Sequence, residues 1–469
     1  MHTKDIHYYS DNPNFPSKWI IGSLFIGAFL GYLNDTLLNV ALTPLMQEFS
    51  VERTLVQWLV TGFLLVMGAF TPLTASLIQW LPSKKMALIT LAIFASGSLI
   101  CGFAPSFAWL LVGRIVQAVS AAFTVPLLIN TIFTIYPPGK RGTVMGLVTM
   151  MFTVAPAIGP TLSGFIVDHL GWRYLFLAPL PLLGFAFMAV SKYFNIDVVE
   201  INRPKIDLLS SFFSILGVGG MIYAISNYAH FSLLRFATIL LISLLCIAYF
   251  VYRQGKLATP MLNLRVLTYR QFRYIIMILF LAYFIFMGLE LLMPMYSQQV
   301  LLLSATASGL VLFPASVLQA LASPLLGVIL DKKGGRYVML PAALFMLTGL
   351  ILLLVYMDTH SNPIIIAACF ALFALSISCA ITGETHGLNS LPKSLYPHGT
   401  ALISTLNPIA GALGAAIFVE ISAVVEHQVS TSPAIAQLIG IKTAIACGLV
   451  LALFVAYFAT KVEPHLTNK

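Results

Sequence analysis

The sequence predicts an all-α membrane protein of fourteen helical spans. Of 469 residues, 59% are hydrophobic and only 9% are charged, against about 25% charged in an ordinary soluble chain. The apolar residues run in blocks of roughly 20, the length a helix needs to cross the hydrocarbon core. The blocks are unbroken and do not alternate. Because backbone groups in lipid must be satisfied internally, this pattern selects helices over a barrel. The net charge of +9 sits in short loops between the blocks, where it sets membrane orientation, so a nucleic-acid partner is not expected.

The spans fall at 19–42, 55–78, 86–104, 107–134, 143–167, 173–194, 208–228, 233–252, 274–299, 307–330, 338–357, 363–391, 400–425 and 438–460. The first 18 residues are polar and lack a signal-peptide pattern, so the first span is expected to be retained. An even number of spans places both termini on one side. With the N-terminus inside, twenty Lys and Arg lie inside, four outside (Arg53, Arg173, Arg235, Lys442) and Arg114 within a span. Cytoplasmic loops carry such an excess, which assigns both termini to the cytoplasm. Spans seven and eight carry no internal acid or base and are flanked by polar stretches at 195–207 and 253–273. They read as a pair inserted in a linker, 195–273, between two six-span halves, 1–194 and 274–469. Repeated halves around a midplane site are a common transporter plan.

The first span ends Leu33-Asn34-Asp35-Thr36-Leu37-Leu38-Asn39-Val40-Ala41-Leu42. Gly27, Gly31, Asp35 and Asn39 form an i, i+4 row, a small and polar stripe suited to a bundle interior. The fourth span carries Gly113-Arg114-Ile115-Val116-Gln117. An Arg at bilayer depth is costly unless it finds partners or water, or snorkels to the interface. In the fifth, Ala155, Gly159 and Ser163 share one face that admits a close neighbour, and Pro156 and Pro160 each remove a backbone donor and bend the helix. The loop after the tenth span reads Asp331-Lys332-Lys333-Gly334-Gly335-Arg336. Its Asp can cap a helix or pair with Arg, and its glycines permit positive φ. The loop after the second span, Gln79-Trp80-Leu81-Pro82-Ser83-Lys84-Lys85, lacks that acid.

Four acids lie at bilayer depth: Asp35, Glu290, Glu384 and Glu420. Such acids are functional candidates by default. Asp35 and Glu290 occupy matching positions in the first span of each half, so the repeat would aim both at one central cavity. Glu384 lies in a polar stretch from Ser376 to Ser390. Glu420, near the outer end of its span, is expected to be hydrated. Asn34, Asn39, Tyr283, Met287, His386 and Asn389 complete the candidate cavity, with plain packing the alternative for Tyr283 and Met287 and a structural hydrogen bond the alternative for His386. Phe286, Met293 and Tyr296 carry the same two readings. The five cysteines all lie within apolar blocks, without metal-ligand spacing, so no metal is expected. No P-loop, His-Glu-x-x-His or nucleophile elbow is present, which argues against an enzyme or a one-chain ATP-driven pump.

The Asp331–Arg336 loop resembles the loop signature of the major facilitator superfamily, degenerate after the second span. Arg114 lies in a sequence similar to the family's fourth-span Arg motif, which implies a role in proton transfer. Pro156, Gly159, Pro160 and Gly164 resemble the antiporter signature of drug exporters. The first-span sequence resembles that of the fourteen-span drug:proton antiporters, many of which have Asp where this chain has Asn34. The run Thr385-His386-Gly387-Leu388-Asn389-Ser390-Leu391-Pro392 is similar to the lincomycin-resistance subgroup of Gram-positive bacteria. The resemblance implies a major facilitator fold, two six-helix bundles plus two extra helices. It implies a monomeric, proton-coupled antiporter in a bacterial plasma membrane that exports amphipathic or cationic small molecules. Such a protein uses the proton gradient and needs no cofactor. Proton coupling is expected at Asp35, Glu290, Glu384 and Arg114. Conformational change is expected at Asp331, Gly334, Arg336, Pro156, Gly159, Pro160 and Gly164. Export of an endogenous lipid or metabolite remains an alternative, as does a membrane-embedded enzyme.

Overall fold

The computed structural model describes residues 9, 12, 14–71, 74–78, 80–136, 144, 155, 158–198, 201, 207–228, 231–257, 260, 263–392, 395–430 and 432–464, and within helices it leaves the side chains of Asp35 and Asp331 among those not described. Gln79 and Pro156 lie outside the described residues. Among the described residues every regular element is helical: α1 Ser17–Phe49, α2 Arg53–Val56, α3 Trp58–Phe70, α4 Thr74–Leu77, α5 Ser83–Gly102, α6 Phe107–Ile135, α7 158–170, α8 Tyr174–Leu177, α9 Leu180–Tyr193, α10 Leu208–Ser226, α11 Leu233–Lys256, α12 Arg270–Met295, α13 Ala305–Lys333, α14 Arg336–Tyr356, α15 Pro363–Asn389, α16 Tyr396–Gln428 and α17 Pro433–Thr460. Among the described residues eleven helices are long and apolar enough to cross a membrane, and Arg53–Gly68 and Leu209–Ile225 are shorter apolar helices.

Local chemistry sets the helix ends. Asp207, Ser232, Ser304 and Asn362 each accept a backbone N–H of the following first turn, starting α10, α11, α13 and α15, because side-chain oxygens satisfy donors that no earlier carbonyl can reach. Pro363 fills the first position of α15, where a missing N–H costs nothing. Gly334 ends α13 at φ 89°, its N–H bonded to the Leu330 carbonyl at 2.8 Å. That backbone is open to glycine and strained for other residues. The sequence predicted single spans at 55–78 and 173–194. The structure interrupts the first at Gln57, between α2 and α3, and the second between α8 and α9, with Pro179 at that break, where proline cannot continue the hydrogen-bond ladder.

The helices from α1 to α9 pack on one another, chiefly α5 on α6, α3 on α6, and α1 on α6 and α9; α12 to α17 form a second set, chiefly α14 on α15, α12 on α16 and α13 on α15. Small residues permit the close crossings. A Cβ on Gly97 would stand 2.8 Å from the Gly113 carbonyl, and one on Gly414 would stand 1.8 Å from the Phe284 carbonyl. The two sets meet through α3 on α16 and through α1 on α12 and α13. The pair α10–α11 sits over that seam, with α10 touching both α3 and α16. Its proximal end is tied by Arg253 to Asp207 at 3.0 Å and by Gln254 Nε2 donating to Ser210 Oγ at 2.8 Å. Here distal means the end carrying Ser50, Gly171 and Leu302, and proximal the end carrying Pro82 and Gly334.

Candidate functional site

The first-span helix is the axis of the site because it presents different residues to each set. Asn34 faces α6. Arg114, fully buried, donates from Nε to the Leu59 carbonyl at 3.1 Å, from Nη1 to Gln117 Oε1 at 3.1 Å and to the Asn34 side-chain oxygen, and its guanidinium lies 4.2 Å from the Phe63 ring centroid. Gln117 Nε2 then donates to Ser98 Oγ at 2.9 Å. One cation thus ties α1, α3, α5 and α6 together. A planar guanidinium suits this task, since its fork reaches several acceptors while its face stacks on a ring. Arg114 does not snorkel. A carboxylate at position 34 would neutralise Arg114; the amide accepts the bond without adding charge.

One and a half turns further on, Asn39 faces the other set. Its Nδ2 donates to Glu290 Oε1 of α12 at 3.2 Å, with Asn39 and Glu290 each 5% exposed. The glycine row below it turns the other way: a Cβ on Gly27 would meet Leu91 of α5 at 2.8 Å, and one on Gly31 would meet Ala121 of α6 at 3.8 Å. An i, i+4 row drifts by about 40° per step on a 3.6-residue helix, so the predicted stripe does not face one way along its whole length. Asp35 lies on α1 between these contacts; its side chain is outside the described residues. Beside the row is a small pocket with room for little more than one water, lined by Gly31, Tyr32, Phe63, Met67 and Thr124 among others.

Tyr283 of α12 is within electrostatic reach of Glu384 of α15, Tyr32 of α1 and Glu290, and Tyr283, Glu384 and Tyr32 are partly buried. Two carboxyls and a second phenol, from three helices, thus shape the electrostatic environment of Tyr283, and one of those carboxyls, Glu290, bonds across the two sets of helices. The other predicted residues fall elsewhere. His386 is buried with its ring 2.4 Å from where a Gly335 Cβ would stand, so it packs under the α13–α14 turn instead of the cavity. Asn389 is the last residue of α15 and is exposed. Met287, partly buried, packs toward Gly411 of α16, whose Cβ would lie 2.9 Å from Met287 Cγ. Phe286 stacks on Phe373 at 6.0 Å and Tyr296 donates its hydroxyl to the Asp358 carbonyl at 2.7 Å; both are packing. Glu420, expected to be hydrated, is 5% exposed because α16 carries it into the interior. Arg336 opens α14, exposed, and the Gly335 N–H is bonded to the Pro464 carbonyl at 3.1 Å.

At the distal end the two sets are joined by polar residues that the sequence did not single out as a site, together with the predicted glycines of α7. Arg53 reaches Glu426 at 2.8 Å, Ser422 Oγ at 3.1 Å and Gln299 Oε1 at 3.2 Å. Gln298 Nε2 donates to the Val40 carbonyl at 2.9 Å, and Asp168 accepts from the Thr306 N–H at 2.8 Å. Gly164 and Gly309 make a reciprocal crossing of α7 and α13: Cβ atoms there would stand 2.4 Å from the Ala305 and Pro160 carbonyls respectively. Gly159 lies against Thr36 of α1. Two hints were available in the sequence: Arg53 is one of the few cations on the poorly charged side, and Gln298-Gln299 interrupts an apolar block.

The family model described as Major Facilitator Superfamily matches residues 24–415. Lincomycin resistance protein LmrB of Bacillus subtilis is 35% identical over 422 residues, 87% of this chain and 86% of that protein. The protein of the same name in Listeria monocytogenes is 35% identical over 445 residues, 92% of this chain and 94% of that protein. Among solved structures, a POT family transporter in complex with a thioalcohol-conjugated peptide superposes with a TM-score of 0.70 at 12% identity, covering 94% of this chain and 96% of its own; that likeness concerns the fold alone. With the family model spanning most of the chain, relatives matched over nearly their full length, and a bundle of membrane-length helices meeting around buried polar groups, the chain belongs to the major facilitator superfamily, a multi-pass secondary transporter of the plasma membrane and not an enzyme.

Proposed function

We propose that the chain is a proton-coupled efflux antiporter that exports amphipathic or cationic small molecules from a bacterial cell by alternating access. In this reading the chain crosses the membrane fourteen times with both termini in the cytoplasm and works as a monomer. Residues 1–194 and 274–469 form the two six-helix bundles, 195–273 carries the added pair, and the distal end is the outside. The observation that carries the proposal is the Asn39–Glu290 hydrogen bond between α1 and α12, at 3.2 Å, with Glu384, Tyr283 and Tyr32 close by. An acid placed where two moving bodies meet changes its surroundings when they rock, and only such a differential interaction converts proton binding into a shift between states.

Ionised Glu290 accepts from Asn39 and, with Glu384 and Asp35, gives the cavity the negative charge that draws in a lipophilic cation. Protonation from the outside neutralises that charge and releases the cargo. Arg114, locked by Asn34, Gln117 and the Leu59 carbonyl, holds the wall of the first bundle in register while the acids titrate. The relatives named lincomycin resistance protein support a drug-like substrate, including lincosamides.

The test is transport in proteoliposomes with an imposed pH gradient, against cationic dyes and lincosamides. Wild type should expel substrate only with the gradient. Glu290→Gln keeps the shape and the bond to Asn39 but cannot carry a proton, and should lower gradient-driven efflux by roughly tenfold or more, the effect of about 1.4 kcal/mol. Gradient-driven efflux by this variant at the wild-type rate would remove Glu290 from the coupling.

A further inference from the structure

We propose that Arg53 is a distal latch whose contacts hold the transporter closed on the outside and must break each time it opens. Arg53 sits on the short segment between α1 and α3, in the first bundle, yet the partners found for it belong to the second. Nη1 meets Glu426 Oε2 at 2.8 Å and Ser422 Oγ at 3.1 Å, both on α16. Nη2 meets Gln299 Oε1 at 3.2 Å, on the π-helical turn that ends α12. Gln437 of α17 donates to the same Gln299 oxygen at 2.6 Å, and Gln299 Nε2 reaches back to Thr43 Oγ1 of α1 at 3.4 Å. One cation thereby gathers three helices of one bundle around a segment of the other.

The exposures explain how the latch holds and still releases. Arg53 is 7% exposed and Glu426 is 29% exposed. The desolvation of a buried charge offsets most of the Coulomb attraction it gains, so the assembled pair costs little to separate once both ends regain water. Removing one partner is different. Without Glu426, Arg53 stays buried against the neutral acceptors Ser422 and Gln299, and the state in which it is hydrated becomes the favoured one. Without Arg53, Glu426 is already partly in water and loses less. Glu426→Gln is therefore the sharper variant. A second ion pair at the same end, Arg173 with Glu48 at 2.8 Å, lies wholly within the first bundle and is well exposed on both sides. Arg173→Gln is the control, since exposed pairs are worth little.

The latch rests on alternating access but not on protons or drugs, so it is tested on the empty protein, in nanodiscs, by amide hydrogen exchange. In Glu426→Gln, exchange should rise roughly tenfold or more in the distal turns of α7, α16 and α17. The proximal turns of α5 and α14 should stay at the wild-type rate or slow. Arg53→Gln should show the same polarity with a smaller rise, and Arg173→Gln should match wild type. Wild-type exchange at the distal turns in Glu426→Gln would overturn the latch. So would a rise of equal size at both ends, or failure of both latch variants to fold, since either result makes the cluster a structural brace. Loss of gradient dependence in the transport assay leaves this result intact, so the two proposals fail separately.

Discussion

Replacing Gly164 by Ala adds one methyl group where α7 crosses α13. That carbon would stand 2.4 Å from the Ala305 carbonyl oxygen and 2.6 Å from Thr306 Cα, where ordinary contact begins near 3.4 Å. Backbone atoms cannot rotate away, so the helices must part by 3.4 − 2.4 = 1.0 Å at the crossing. Overpacking of this kind costs about 1–3 kcal/mol. The crossing joins the two sets of helices at the distal end, so the penalty falls on the distally closed state, and the ratio of states should shift by about 5- to 150-fold. The assay is the initial rate of dye efflux in proteoliposomes, read beside the melting temperature. Gly164→Ala should lower both. The control is Gly184→Ala in α9, where an added Cβ meets nothing within 4 Å and helix propensity favours Ala by up to about 1 kcal/mol. If Gly164→Ala and Gly184→Ala behave alike in transport and melting, the reasoning from close approach is refuted.

Arg114→Lys keeps the charge but loses the fork that serves the Leu59 carbonyl, Asn34 and Gln117 together; unfolding in denaturant should show a loss of about 2 kcal/mol, and wild-type stability would mean that a point charge suffices. At Asp207, burial pushes the carboxyl up, but hydrogen bonds from the Arg253 side chain and from Ser210 outweigh it and hold it below the ordinary range. A depressed carboxylate adds stability above the unfolded value of about 3.9 and loses it as pH falls through the folded one. Wild type should therefore melt higher than Asp207→Asn at pH 7, with the gap closing below about pH 4. A gap unchanged in acid would rule out the carboxylate charge as its source.

The membrane-helix class was legible because it follows from composition and from uninterrupted apolar blocks, which no tertiary context overrides. Gly334 was legible for a local reason: a tight turn after a helix needs positive φ. Arg114 and Glu290 stood out because charge at bilayer depth is costly. Their partners were not legible. Whether Asn34 or Asn39 faces the second set depends on how α1 is rotated, and helical spacing gives angles between neighbours without an absolute direction. The same ambiguity left His386 with two readings; it lies two residues from Glu384 on α15 and packs against Gly335.

The sequence by itself determined that this chain lives in a bilayer as helices and which residues are too costly there to be incidental. Only the tertiary structure decided who meets whom: Asn34 with Arg114, Asn39 with Glu290, Arg53 with Glu426. The reason is physical. Hydropathy and helical period are properties of neighbours along the chain, whereas the Asn39–Glu290 contact joins residues 251 positions apart and Arg53 reaches Ser422 across 369. They exist only because small residues let distant helices approach to within a hydrogen bond.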